Sequence, residues 1–213
     1  MSKDKAPFEL LYQDDDILVV YKKRDVLTIK TEDKNTYHKN LYYYLKKDFM
    51  KKNEDLYVLH RLDFETSGIL VFAKKLEVFK ILQTAFKNRD VKRYYEAVVK
   101  EKIELNKQVE VHQNLKEVGE KVIVDNDGKE AITIFKATNY IQIGTALDIE
   151  IKTGRRNQIR IALNSSNLTL LGDKRYSNSI EKRMYLNEYK IEFPEYCYLK
   201  KSSFEVKPLW IIK

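Results

Sequence analysis

The chain reads as α+β, with a mixed, largely antiparallel β-sheet and flanking helices. Three observations predict this class. Strand-like apolar runs outnumber stretches with helical spacing. Turn-forming acidic and Asn-Asp-Gly segments separate several of those runs, as hairpins require. The helical stretches are interspersed without the regular strand–helix alternation of a parallel sheet.

Phe8 to Tyr12 and Ile17 to Lys22 are predicted strands around the acidic turn Gln13-Asp14-Asp15-Asp16. Thr36 to Lys51 is a predicted helix, because Tyr37, Leu41, Tyr44, Leu45 and Phe49 share one face at three- and four-residue spacing. Lys39, Lys46 and Lys47 then form its solvated face. Leu56 to Leu62 and Gly68 to Ala73 are predicted strands. A helix from about Leu76 to Lys87 follows, with Phe79, Leu82 and Phe86 inward. Val91 to Val99 is a Tyr- and Val-rich strand, and Lys121 to Phe135 is a predicted hairpin about Asn126-Asp127-Gly128. Ala146 to Lys152 alternates apolar and charged residues, Gly154 breaks that strand, and Arg156 to Asn164 is a predicted helix. Six Gly and three Pro leave no linker, so one domain over 1–213 is expected, with its core at about 10–210.

Composition narrows the class of function. No run approaches the roughly 18 apolar residues of a membrane span, and the first residues lack the apolar stretch of a secretory signal. Cys197 is the only cysteine, which excludes an intramolecular disulfide and a Cys-based zinc site. A soluble, cytoplasmic protein is expected. The net charge of +8 favours a polyanionic partner, although biased codon usage can also produce such Lys abundance. Aromatic faces among the 15 tyrosines suit unstacked bases, while most of them fit a core or half-buried strand. His38, His60 and His112 do not cluster at metal spacing. No Walker-type phosphate loop, H-E-x-x-H or G-x-S-x-G is present.

The most informative stretch is His60-Arg61-Leu62-Asp63-Phe64-Glu65-Thr66-Ser67-Gly68. It sets an imidazole, a guanidinium, a carboxylate and two hydroxyls between two apolar runs, where rigid elements present functional groups. An exposed Asp has a pKa of about 3.9, so Asp63 is expected to be ionised and available as nucleophile or base. The plain alternative is an Asp ending a strand. Arg61 and Glu65 share strand parity with Asp63.

This stretch resembles the H-R-L-D-x-x-T-S-G signature of RluA-type RNA pseudouridine synthases. Three further segments resemble that family in the same order: Asp16 to Lys22, Arg93-Tyr94-Tyr95-Glu96-Ala97, and Thr153-Gly154-Arg155-Arg156-Asn157-Gln158-Ile159-Arg160 with Gly172-Asp173-Lys174-Arg175-Tyr176 after it. The resemblance runs from about Leu10 to Trp210. It implies a pseudouridine synthase fold with a central catalytic cleft, and isomerisation of uridine in structured ribosomal or transfer RNA. Asp63 is then the catalytic carboxylate, and Arg160 its salt-bridge partner; a phosphate-contacting Arg160 is the alternative. Tyr95 corresponds to the family's active-site Tyr, which stacks on the target base, while Tyr94 points away and is structural. Arg61 helps displace and replace the flipped nucleotide, or serves in an ion pair. Arg155 and Arg156 are candidates for phosphate contacts, with Asn157 and Ile159 completing the substrate-binding set. His60 is a hydrogen-bonded scaffold residue, and Thr66 and Ser67 fix the loop.

The carboxylate can attack the sugar or abstract a sugar proton to give a glycal, and the sequence leaves both open. The reaction is redox-neutral, so no cofactor or metal is expected, and nothing demands more than a monomer. Departures from the pattern concern substrate placement. Tyr21-Lys22-Lys23-Arg24-Asp25 stands for the usual N-K-P-x-G, and Asn157 for a frequent His. Arg183-Met184-Tyr185-Leu186-Asn187-Glu188 only weakly resembles R-x-x-L-H-A. The short segment before the domain leaves no room for an S4-type module, so the domain itself is expected to grip RNA through its Lys-rich surface. Two other classes compete: an RNA-binding or ribosome-assembly factor without turnover, and a glycosidase-like hydrolase using Asp63 and Glu65.

Overall fold

The computed structural model describes residues 6–31, 39–48 and 54–211, which form two compact units. The first comprises residues up to Val91 together with Glu192–Phe204, and the second Lys92–Ile191 with the segment from Glu205. Both are built mainly from antiparallel strands with a few helices, as the sequence predicts.

In the first unit, β1 (Phe8–Gln13) and β2 (Ile17–Lys22) form the expected hairpin. Its turn is fixed by Asp14, whose Oδ1 accepts the Asp16 and Ile17 backbone N–H groups, each at 2.8 Å. β3 (Tyr57–Val58) and β4 (Ser67–Ala73) follow, and β2 and β4 pair antiparallel from Ile17↔Ala73 to Lys22↔Gly68. Ile17 to Val20 and the whole of β4 are buried. Each such aliphatic side chain contributes about 1.5–3 kcal/mol by leaving water, which makes this pair the core of the unit. The helix α1 (Leu41–Asp48) buries Leu41 and Leu45 one turn apart; Thr36, Tyr37 and Phe49 of the predicted helix lie outside the described residues. The helix α2 (Leu76–Asn88) buries Leu82 and Ala85, and half-buries Phe79 and Phe86 against the rings of Tyr57 and His60.

The second unit is one run of strands in the order β10-β5-β9-β8-β6-β7. These are β5 (Lys92–Val99), β6 (Gln108–Val118), β7 (Lys121–Val124), β8 (Lys129–Ile141), β9 (Gly144–Ile151) and β10 (Leu186–Glu192). Of the short strand β11 (Ser203–Glu205), Glu205 belongs to this unit. The helix α3 (Gln158–Ser165) buries Gln158 through Leu163.

Two expectations need correction. The strand predicted over Leu56 to Leu62 is only β3, because side chains take over the ladder beyond Val58, as described below. The hairpin about Asn126-Asp127-Gly128 does not form. β7 and β8 both pair with β6, and Val124 and Lys129 both stand opposite Leu115, so residues 125–128 are looped out. The tight reversal lies instead at Gly119-Glu120, where Gly119 takes φ +57°, the region open to glycine at little steric cost.

Candidate active site

In the first unit, the segment between β3 and β4 carries His60, Arg61 and Asp63. Its backbone is held by side chains rather than by a ladder. The Thr28 hydroxyl donates to the Leu62 carbonyl at 3.0 Å and accepts the Leu62 N–H at 3.3 Å. The Val71 N–H donates to His60 Nε2 at 3.2 Å, and the buried imidazole stacks on Phe86 with centroids 5.2 Å apart. The imidazole is thus held in place by a backbone hydrogen bond and a ring stack. After Leu62 the chain bends at Phe64-Glu65, and the Thr66 N–H closes the bend on the Asp63 carbonyl at 3.2 Å. Residues 61, 63 and 65 are therefore not on a strand and do not share a face by strand parity. Asp63 is half-buried and Arg61 exposed, while Thr66 and Ser67 are buried.

Lys22 is the residue in this unit that sequence reasoning missed. It ends β2 with 0% exposure, and its ammonium donates to the carbonyls of Val26 at 2.8 Å, Lys23 at 3.2 Å and Phe64 at 3.2 Å. Burial pushes its pKa down to about 7, against the opposing charges of Asp63, Asp25 and Glu65. One cation thus ties the rebuilt segment after β2 to the carbonyl next to Asp63. The signal was its position as the last residue of a buried apolar run, where a solvated lysine is not expected.

In the second unit, α3 carries Arg160 inward, 3% exposed. A buried guanidinium needs a partner, and Asp173 supplies it. Arg160 Nε donates to Asp173 Oδ2 at 2.9 Å and Nη2 to Oδ1 at 2.7 Å, a bidentate pair with Asp173 at 0% exposure. Arg160 Nη1 also donates to Asn157 Oδ1 at 3.3 Å, and its guanidinium lies 5.2 Å from the Tyr176 ring centroid. Asn157, in a left-handed conformation before α3, donates through Nδ2 to the Tyr176 hydroxyl at 2.9 Å. Gly172 has φ +81°, and a Cβ there would stand 1.7 Å from the Arg183 carbonyl, so only glycine brings Asp173 to this position. Asp173 and Tyr176 were legible as a motif, but their grip on Arg160 was not.

The start of α3 is fixed by Gln158. Its Oε1 accepts the Thr153 hydroxyl at 2.7 Å and the Arg155 N–H at 3.0 Å, while Nε2 donates to the Ile132 carbonyl at 2.9 Å. Gly154 leaves room for the guanidinium of Arg93, which a Cβ would meet at 2.8 Å, and Arg93 donates to the Thr153 carbonyl at 3.0 Å. Arg155 and Arg156 are half-buried. Arg155 Nε donates to the Glu130 carbonyl at 2.9 Å, and Arg156 reaches the Glu117 carboxylate at 3.3 Å and the Glu120 carbonyl at 3.0 Å. Ile159 is 5% exposed on the buried side of α3.

Tyr95 on β5 is buried, and its hydroxyl donates to Glu188 Oε2 of β10 at 2.9 Å. Tyr94 is half-buried and carries the Lys190 ammonium 5.3 Å from its ring centroid. Asn187, next to Glu188, donates to Glu96 Oε1 at 2.8 Å. Among the described residues no group of three or more His, Cys, Asp or Glu is placed to hold a metal ion, and no helix is long and apolar enough to cross a membrane. Of the expected site residues, Arg61 and Asp63 belong to the first unit. Tyr95, Arg155, Arg156, Asn157, Ile159 and Arg160 belong to the second, which brings Asn157 and Arg160 into direct contact.

Comparison with known proteins bears on these residues together. The family model described as RNA pseudouridylate synthase matches residues 16–165. An uncharacterized RNA pseudouridine synthase of Helicobacter pylori is 36% identical over 141 residues, covering 63% of this chain and 57% of that protein. The ribosomal large subunit pseudouridine synthase D of Blochmanniella floridana is 29% identical over 199 residues, covering 88% of this chain and 61% of its own. The chain thus spans under two thirds of the length of these relatives. The fold is that of human RNA pseudouridylate synthase domain containing 4, with a TM-score of 0.73 at 18% identity, covering 93% of this chain and 88% of that one.

Proposed function

The chain belongs to the RNA pseudouridylate synthase family, RluA type, and from that premise we propose that it isomerises specific uridines to pseudouridine in structured RNA. The observation that carries this reading is the family match over residues 16–165, which takes in Asp63, Tyr95 and Arg160 together. The reaction breaks the bond from C1′ to N1 of uracil, turns the base, and joins C1′ to C5. Asp63 is the catalytic carboxylate in this reading, by attack on the sugar or by removal of a sugar proton. Arg160 is its electrostatic partner. The Asp173 clamp supports that role, because a guanidinium held on one edge is oriented before substrate arrives and loses little freedom on pairing again. Tyr95 is the platform for the base, and Arg61, exposed beside the loop, fills the gap left by the flipped uridine. Arg155, Arg156 and Asn157 contact the RNA backbone, with Ile159 packing behind them.

The domain acts as a monomer in the cytoplasm, without cofactor or metal. Ribosomal RNA is the first substrate to test, since the Blochmanniella relative is named for the large ribosomal subunit, and transfer RNA is the second. The test is incubation of the purified protein with total RNA from cells lacking its gene, followed by mapping of new pseudouridines at nucleotide resolution. New pseudouridine at defined positions is expected. Released free uracil would indicate a hydrolase, and binding without modification would indicate an assembly factor.

A further inference from the structure

Glu188 is a carboxyl group in a place where structure alone has little use for one. It is 0% exposed on β10, its Oε2 accepts the Tyr95 hydroxyl at 2.9 Å, and its Oε1 has no hydrogen-bond partner among the described residues. Burying a carboxyl with one bond is unfavourable, and an apolar side chain would fill the space at lower cost. The weakly resembling pattern R-x-x-L-H-A has Ala at this point, where this chain has Glu188. What it adds is a proton acceptor on the hydroxyl of the residue assigned to the base.

We propose that Glu188 is a positioning residue for the isomerisation, taking the Tyr95 hydroxyl proton as Tyr95 takes the proton that leaves C5 of uracil. The inference rests on the function proposed above. Once C5 is bonded to C1′, the C5–H bond breaks and its electron pair forms the C5=C6 double bond. The N1=C6 pair retreats to N1, which is protonated from water. The C5 proton goes to the Tyr95 oxygen, and the original phenolic proton goes to Glu188 Oε2. Glu188 then returns its proton through Tyr95 to solvent, leaving the protein unchanged.

Acceptance requires the ionised carboxyl. Burial raises the pKa of Glu188 to about 8, while the charge of Arg93 and the Tyr95 hydrogen bond pull the other way. The charged groups on neighbouring strands of this unit are Lys92, Arg93 and Glu96 on β5 and Glu205 on β11, with Lys190 on β10 itself. Glu96 is engaged by the backbone N–H groups of Leu209 and Trp210, and Glu205 lies 3.9 Å from Lys190. C5 proton loss should therefore quicken as pH rises through about 8.

The experiment follows single-turnover pseudouridine formation across this pH range on a mapped RNA carrying hydrogen or deuterium at C5 of the target uridine. Wild type is compared with Glu188→Gln, which keeps shape and hydrogen bonding but cannot take the proton. Proton loss in the variant should slow by about a hundredfold, lose its rise with pH, and show a primary deuterium isotope effect larger than wild type. Glu188→Ala is the second variant, and added formate should restore part of its rate. A Glu188→Gln rate, pH profile and isotope effect matching wild type would overturn the proposal, as would a Glu188→Ala defect that formate leaves untouched when Glu188→Gln does not fold. Absence of pseudouridine with wild type would overturn the underlying function, and this proposal with it.

Discussion

Lys22 offers the sharpest physical test of how the loop at Asp63 is held. Its pKa of about 7 against an ordinary 10.5 corresponds to about 5 kcal/mol of preference for the neutral amine in the folded chain. The sign follows from proton counts. Between about pH 7 and 10.5 the unfolded chain carries the Lys22 proton and the folded chain does not, so stability rises with pH across that window. Below it both states are protonated and the full cost of the buried charge is present. Lys22→Met removes the titration and subtracts every other group's contribution when the two proteins are compared. Urea unfolding of both should show wild type gaining about 2.5 kcal/mol over the variant between about pH 7.5 and pH 9.5. A stability difference that stays constant over this range would refute the reasoning and return Lys22 to an ordinary solvated lysine. Lys22→Met also removes the tie to the Phe64 carbonyl, so turnover should fall in the variant at every pH.

Other consequences are as direct. Asp173→Asn removes the carboxylate that holds the buried Arg160 guanidinium in a bidentate pair and should cost about 3–5 kcal/mol in chemical denaturation, whereas replacing both residues by Met and Leu should recover most of the loss. Equal losses in the single and double variants would contradict this. Glu96, at 0% exposure, accepts the Asn187 side chain and the backbone N–H groups of Leu209 and Trp210; Glu96→Gln should speed amide exchange at Leu209–Ile211 ahead of global unfolding. Unchanged exchange there would show that the segment is held by other contacts.

Local signals in the sequence were sufficient for about half of the elements, and β6, β10 and β11 were not anticipated. Period and turn chemistry located β1, β2, β4, α2 and β9 within a residue or two. They failed where a side chain replaces the backbone ladder. Nothing in Leu59-His60-Arg61-Leu62 announces that Thr28, 34 residues upstream, supplies the partner for the Leu62 backbone. Asn126-Asp127-Gly128 has good hairpin chemistry, but β6 is long enough to pair with the chain on both sides of it, and pairing partners are not a local property. The site shows the same division. Asp63, Tyr95 and Arg160 stand out by motif, whereas Lys22 is marked only by its place at the end of an apolar run and Glu188 only by burial, which a single sequence does not display. The motif resemblance gave Arg160 a pairing with Asp63; that Asp173 grips it from 13 positions downstream required the fold.

In the proposed reaction Asp63 carries out the chemistry on uridine. The most direct measurement is single-turnover pseudouridine formation by wild type and Asp63→Asn at one mapped uridine, with RNA affinity measured in parallel. Asp63→Asn is expected to form no pseudouridine above background while its affinity stays within about threefold of wild type, under 1 kcal/mol. Pseudouridine formed by Asp63→Asn at a rate near that of wild type would contradict it.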